Sequence, residues 1–200
     1  MTITYEYGDA LYVNLTNRCS NACTFCVRNN HDTVNGTDNL WLDREPTAEE
    51  IKADFSKRNL GQYSSVVFCG YGEPTIRFDV MKEIASWLKE SYPQLPIRLN
   101  TNGHANLIAG RDVTPEMEGL FDCVSISLNA ENAEKYQKIC LCEFGEAGYD
   151  GLLDFAVKAK QYVPEVVLSV VDVMEQDEIE ACRKIAETCG VQFRVREYIQ

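Results

Sequence analysis

Residues 123–129 read Cys-Val-Ser-Ile-Ser-Leu-Asn, a strict alternation of apolar and small polar side chains. A period of two puts Val124, Ile126 and Leu128 on one face of a strand and Ser125, Ser127 and Asn129 on the other. The pattern recurs along the chain. Asn14 and Thr16 alternate with Val13 and Leu15; Arg98, Asn100 and Asn102 alternate with Ile97 and Leu99; Arg194 and Arg196 alternate with Phe193 and Val195. Strand-like runs at 11–16, 65–69, 97–101, 123–128, 166–173 and 191–199 are separated by stretches of helical spacing. Thr47-Ala-Glu-Glu50 has the form of a capping box, opening a helix with Ile51 and Phe55 on one face. Val80, Ile84, Trp87 and Leu88 mark a second helix, and Thr114-Pro115 resembles a helix start with proline in the first turn. Leu152, Phe155, Ala156, Ala159 and Val163 mark another; Ile179, Cys182, Ile185, Ala186 and Cys189 mark the last.

Strand–helix alternation at this spacing implies parallel strands joined by right-handed crossovers. An open doubly wound sheet and a barrel or partial barrel both satisfy that rule. Parallel strands buried on both faces read as nearly continuous apolar runs. Here one face is repeatedly polar, which favours a barrel with a lumen filled by ligand and water over a sheet with one solvated face. The 200 residues fit a single α/β domain, 1–200, and no repeat, low-complexity tract or linker divides them. The polar segment 29–39 reads as a loop long enough to act as a cover.

With 31 acidic and 19 basic residues the net charge is −12, and no basic face is evident. Extended nucleic acid, gripped through its phosphates, is therefore excluded as a partner. The N-terminus lacks the basic start and apolar run of a secretion signal, and no stretch approaches the ~20 apolar residues of a membrane span. A cytoplasmic protein is expected, in which nine cysteines are not disulfides.

Cys19-Ser-Asn-Ala-Cys23-Thr-Phe-Cys26 follows the first of these strands. Three thiols within so short a span can converge on one metal centre, and thiolates suit zinc or an iron–sulfur cluster. Structural zinc takes four ligands in a closed tetrahedron, for which His31 is the nearby candidate. A four-iron cube on three cysteines keeps one iron open to chemistry. The spacing differs from the ferredoxin patterns.

This C-x3-C-x2-C run, with the aromatic Phe25 before its last cysteine, resembles the signature of the radical S-adenosylmethionine (SAM) superfamily. Gly70-Tyr-Gly72-Glu73-Pro74, after the second strand, resembles that family's GGEP motif, with Tyr71 where glycine is common. The resemblance implies a (βα)6 partial TIM barrel over essentially the whole chain. It implies a [4Fe–4S] cluster on Cys19, Cys23 and Cys26, with SAM chelating the open iron. It further implies reductive cleavage of SAM to methionine and a 5′-deoxyadenosyl radical that abstracts a substrate hydrogen. SAM contacts are expected from Phe25, Gly72, Glu73 and Pro74, and from the strand-end groups Asn100, Asn102, Ser127 and Asn129. Val171 and Val173 are candidates to pack the adenine, although core packing explains them as well.

Without the family, the glycine motif is an ordinary strand–helix turn whose glutamate favours the next helix dipole, and the strand-end groups are turn and cap formers. Residues 7–19 and 26–29 are most similar to the compact radical SAM proteins associated with TatD-type hydrolases, a group that supplies no substrate. A flavodoxin- or ferredoxin-like electron donor is implied as partner. Arg98, Arg194 and Arg196 are candidates to bind a carboxylate or phosphate on an unidentified small-molecule or peptidyl substrate. Two other functions remain open: an activase that makes a glycyl radical on a partner protein, and a zinc or iron–sulfur interaction module without turnover. Cys182 and Cys189 belong to a helix core face, Cys69 is expected to be structural, and Cys140-Leu-Cys142 offers an incomplete ligand set for a second cluster. His31 and His104 are expected in surface or hydrogen-bonded roles.

Overall fold

A computed structural model describes residues 1–34 and 36–197. Asn35, within the anticipated cover loop, and Tyr198 and Ile199, at the end of the anticipated last strand, lie outside the described residues. Seven strands form one sheet in sequential order: β1 (Thr4–Tyr7), β2 (Ala10–Val13), β3 (Val66–Phe68), β4 (Ile97–Thr101), β5 (Cys123–Ser127), β6 (Glu165–Val171) and β7 (Gln192–Arg196). From β2 to β7 every neighbouring pair is parallel. Sequential order decides between the two architectures left open by the sequence. Right-handed crossovers that always advance in one direction put all their helices on the same side of the sheet. The other side is left to curl around a lumen, as in a partial TIM barrel.

The helices on the outer side are α1 (Ala48–Phe55), α2 (Phe78–Ser91), α3 (Ala105–Ala109), α4 (Ala133–Cys140), α5 (Ala147–Ala159) and α6 (Gln176–Cys189). The Thr47–Glu50 capping box is formed in full. In α2, Met81, Ile84, Ala85 and Leu88 are buried, with Val80 and Trp87 half-buried against the same core. Pro115 sits in the first turn of a short 3-10 helix, Thr114–Met117. In α5 and α6 the anticipated face is buried, including Cys182 and Cys189, except that Ile185 is half-buried; Val163 is buried beyond the end of α5. The strands supply the opposite side of this core through Leu11, Val13, Val66, Phe68, Leu99, Val124, Ile126, Leu128, Leu168 and Val170.

Three expectations are corrected. The sheet is not wholly parallel, because β1 pairs antiparallel with β2 in a hairpin whose Tyr7↔Ala10 pair closes on Gly8-Asp9. Gly8 has φ +62°, the left-handed geometry a tight hairpin turn demands. Helices α3 and α4 were not anticipated: α3 has five residues, and α4 buries only Tyr136 and Cys140. Both are too sparse to show a helical period. Strand β6 ends at Val171, so Val173 lies beyond it and is 60% exposed. No helix among the described residues is long and apolar enough to cross a membrane.

Candidate cluster and cofactor site

The lumen-facing side chains of the strands and the loops at their carboxyl ends enclose an open cavity of about 290 Å³. Cys19, Cys23, Cys26 and Phe25 line it, as do Gly72, Glu73 and Pro74. Asn100, Asn102, Ser127 and Asn129 enter from the ends of β4 and β5, and Arg98, Arg194 and Arg196 from β4 and β7. Residues scattered from 19 to 196 thus share one cavity. Val173 is the exception. It lines an adjoining hollow that shares Phe25, Asn129 and Val171 with the main cavity.

The cysteine loop is held by backbone contacts that sequence spacing does not reveal. A Cβ on Gly72 would strike the carbonyl oxygens of Thr16 and Arg18, so this glycine permits close approach of the chain to itself. Glu73 N–H donates to Arg18 O at 2.8 Å, locking the two turns together. The Arg28 guanidinium donates to three carbonyls, Asn17 O and Tyr71 O at 3.0 Å and Asn21 O at 3.3 Å. On the other side the loop meets the end of α4, with Ala22 N–H donating to Cys140 O and Thr24 N–H to Ile139 O. Burial and the nearby Glu73 push the Cys19 thiol up to about 12. Cys23 is raised by its contact with the Cys140 thiol, then by burial; Cys26 is raised chiefly by burial. A bound metal centre reverses that preference, because a coordinating thiol is deprotonated outright.

Glu73 is buried and accepts four hydrogen bonds. Thr75 N–H (3.1 Å), Thr75 hydroxyl (2.7 Å) and Thr101 hydroxyl (2.7 Å) reach Oε1, and Asn102 N–H reaches Oε2 at 2.8 Å. Desolvation raises its pKa against the lowering effect of these donors. The carboxylate therefore ties the end of β3 to the end of β4. It also caps the short helix Pro74–Arg77, as the plain reading of a strand–helix turn requires. Oε2 retains acceptor capacity toward a ligand. Asn102 bonds the Ser20 hydroxyl at 2.8 Å, and Ser20 meets His104 Nδ1 at 3.0 Å. His104 Nε2 lies 3.1 Å from Gly148 O and 3.2 Å from the Tyr136 hydroxyl. Burial lowers the His104 pKa to about 4. His104 is a fully buried brace behind the cluster loop, consistent with the hydrogen-bonded role expected of it.

Tyr71, where the family motif commonly has glycine, packs with Tyr5, Val34 and Leu40 in a second small core, and its hydroxyl donates to His31 O at 2.6 Å. It pins the loop after the cysteines. Asn14 and Thr16 do not line the lumen as their alternation suggested. Asn14 Nδ2 donates to Leu40 O at 2.6 Å and the Thr16 hydroxyl to Glu45 at 2.7 Å, so both anchor the segment that covers them. Cys69 lines the cavity, whereas Cys140 and Cys142 are buried beside the cysteine loop and the His104 ring. Among the described residues no three His, Cys, Asp or Glu side chains are gathered as for a single metal ion. The side chain of His31 is exposed.

Sequence reasoning missed Arg28 and the partners of His104. Arg28 stands two residues after Cys26, but arginine at that spacing has no local signature, and it ties its own cysteine loop, through Asn17 O and Asn21 O, to the distant turn at Tyr71.

The donor set fits an iron–sulfur cluster with an amino-acid nucleoside beside it. Three soft thiols share a cavity with a buried carboxylate and with two buried amide oxygens, Asn100 Oδ1 and Asn129 Oδ1, that have no partner. Comparisons with known proteins agree. The profile of the Radical SAM superfamily matches residues 13–189. A probable GTP 3′,8-cyclase from Methanocaldococcus jannaschii is 30% identical over 138 residues, which cover 68% of this chain and 41% of that protein. The chain thus spans less than half the length of this curated relative. Among solved structures, a radical SAM methyltransferase from Sphaerobacter thermophilus superposes with a TM-score of 0.59 at 16% identity, covering 97% of this chain and 68% of that one. Methylornithine synthase gives 0.63 at 18% identity, covering 94% and 53%. These two likenesses show the fold. With the family profile spanning most of its length, the chain belongs to the Radical SAM superfamily, a family whose cofactors are a [4Fe–4S] cluster and SAM.

Proposed function

We propose that this chain cleaves SAM reductively and directs the resulting radical at a hydrogen of a substrate held in the same lumen. The observation that carries the reading is that three thiols, a buried glutamate and the polar strand ends line one cavity. The chemistry that the cluster and SAM would supply when bound there is one-electron reductive cleavage of SAM. The protein's own part is to bind, orient and exclude water. Cys19, Cys23 and Cys26 would hold the cluster. Glu73 would accept the amino group on Oε2, and Asn102, Ser127 and Asn129 would receive the sugar and carboxylate. Phe25, Val171 and Val173 would flank the base, with Val173 closing the outer hollow. The likeness to TatD-associated proteins rests on residues 7–19 and 26–29. A reducing compartment such as the cytoplasm suits unpaired cysteines, and a flavodoxin- or ferredoxin-like donor would supply the electron.

Anaerobically reconstituted protein given SAM and dithionite should release 5′-deoxyadenosine and methionine. The reading is abandoned if a preparation with full iron and sulfide content releases neither. Cys19→Ala, Cys23→Ala and Cys26→Ala should each lose the visible cluster absorption and this turnover while keeping the circular dichroism of the fold.

A further inference from the structure

Six arginines of this acidic chain, Arg18, Arg44, Arg58, Arg77, Arg111 and Arg183, pair with carboxylates outside the lumen. Arg28 is used up on carbonyls. Inside the lumen Arg98, Arg194 and Arg196 form no ion pair among the described residues, although acidic groups outnumber basic ones in the sequence. Arg98 Nε is buried without a partner, and its Nη2 reaches only the Tyr12 hydroxyl, at 3.3 Å. Arg196 contacts two neutral hydroxyls, Ser169 Oγ at 3.1 Å and Ser127 Oγ at 3.4 Å. Burial lowers its pKa, and the charges of Arg98 and Arg194 lower it further. The three guanidiniums are thus close enough to repel one another; Arg98 and Arg196 are met by neutral hydroxyls, and Arg194 is exposed to solvent. Leaving Arg98 and Arg196 partly desolvated and unneutralised is costly unless an anion joins them.

We propose that this part of the lumen is an oxyanion site, formed by Arg98, Arg194 and Arg196 with the Tyr12 hydroxyl, that anchors a substrate through a phosphate or carboxylate group. The planar forks of arginine suit both anions, and three of them match more than one negative charge. The site opens into the cysteine-lined cavity and into a tyrosine-walled extension formed with Tyr5, Tyr7 and Tyr12. Arg98 stands four residues before Asn102 on the same chain run, roughly 13 Å at the rise of a strand. A substrate held by its anionic end would therefore present its reacting carbon about a metabolite's length away, toward the cluster. Two carboxylates flank the site. Glu197 lines it and is exposed, and Glu165 lies against Cys123; neither pairs with these arginines among the described residues.

This inference rests on the radical SAM reading of the same cavity, but its test does not need SAM cleavage. Cluster-replete protein without SAM or reductant would be titrated calorimetrically with pyrophosphate in one arm and succinate in the other. Saturable one-to-one binding in either arm supports the site, and the tighter arm names the anion. Arg98→Gln and Arg194→Gln should each weaken binding at least about tenfold, the loss expected for a charge-assisted contact, with unchanged circular dichroism. Lys57→Gln, on the outer surface, should bind as the parent does. Because Arg194 is exposed, its variant guards against a folding defect at Arg98. Binding in neither arm, or equal binding by both arginine variants, overturns the site. Anion binding without 5′-deoxyadenosine release would fault the radical reading instead.

Discussion

The two faces of one sheet obey opposite rules. On the helix side, Leu99, Val124, Ile126, Leu168 and Val170 are fully buried among the side chains of the helices. On the lumen side, the alternate residues Arg98, Asn100, Ser125, Ser127 and Ser169 surround open space, and two of their polar atoms, Arg98 Nε and Asn100 Oδ1, meet nothing. Strands of five to seven residues carry both faces, so a single backbone is pressed into a dry core on one side and kept under-satisfied on the other. Stability resides on the first face. Unsatisfied hydrogen-bonding capacity resides on the second, where a ligand can use it.

Truncating each face in turn tests that division. Ile126→Ala, on the core side of β5, should cost about 2–5 kcal/mol in denaturant unfolding, because its neighbours cannot collapse into the space. His104 stands at the boundary, and its effect should appear in pH dependence. Its folded pKa lies near 4, below the ordinary histidine value of 6.5. The unfolded chain therefore binds the proton first, and the contribution of neutral His104 is fully present above about pH 6.5. It is lost progressively as the pH falls toward 4, by about 3 kcal/mol at most for a shift of this size. The difference between parent and His104→Gln stability should narrow across that window; a constant difference would remove histidine titration from the account.

Gly72→Ala should be milder for the fold, about 1–3 kcal/mol, since a methyl group must displace the Thr16 and Arg18 carbonyls. Iron bound per chain should fall more sharply than stability, because what moves is the loop before Cys19. Asn100→Ala sharpens the contrast most, through the smallest effect. Its buried Oδ1 has no partner, so stability should change by less than about 1 kcal/mol in either direction. SAM affinity should nevertheless drop. A loss equal to that of Ile126→Ala would erase the distinction between the faces.

Much of this arrangement was legible from local pattern. Alternation at 97–102 and 123–129 assigned the two faces correctly, and the cysteine spacing with Glu73 singled out residues that line one cavity. The β1–β2 hairpin had a usable signal in Gly8-Asp9 between Tyr7 and Ala10, which went unread beside the stronger parallel pattern. Asn14 and Thr16 have the parity of lumen residues, yet the segment carrying Leu40 and Glu45 folds back over them. Val173 keeps the parity of Val171 but lies past the end of its strand, where alternation no longer dictates direction.

The sequence by itself determined what is periodic or contiguous: which side chains share a strand face, which thiols can reach one centre, and that the lumen would be polar. Only the tertiary structure decided which distant backbones meet. Gly72 is glycine because Thr16 and Arg18 pass against it, Arg28 gathers carbonyls from two turns, and Arg98 comes to share a lumen with Arg194 and Arg196 through the curl of the sheet. Those contacts bridge as many as 98 positions of chain between Arg98 and Arg196. Periodicity carries no information over such separations, because the closing of the sheet, not local propensity, sets the distance.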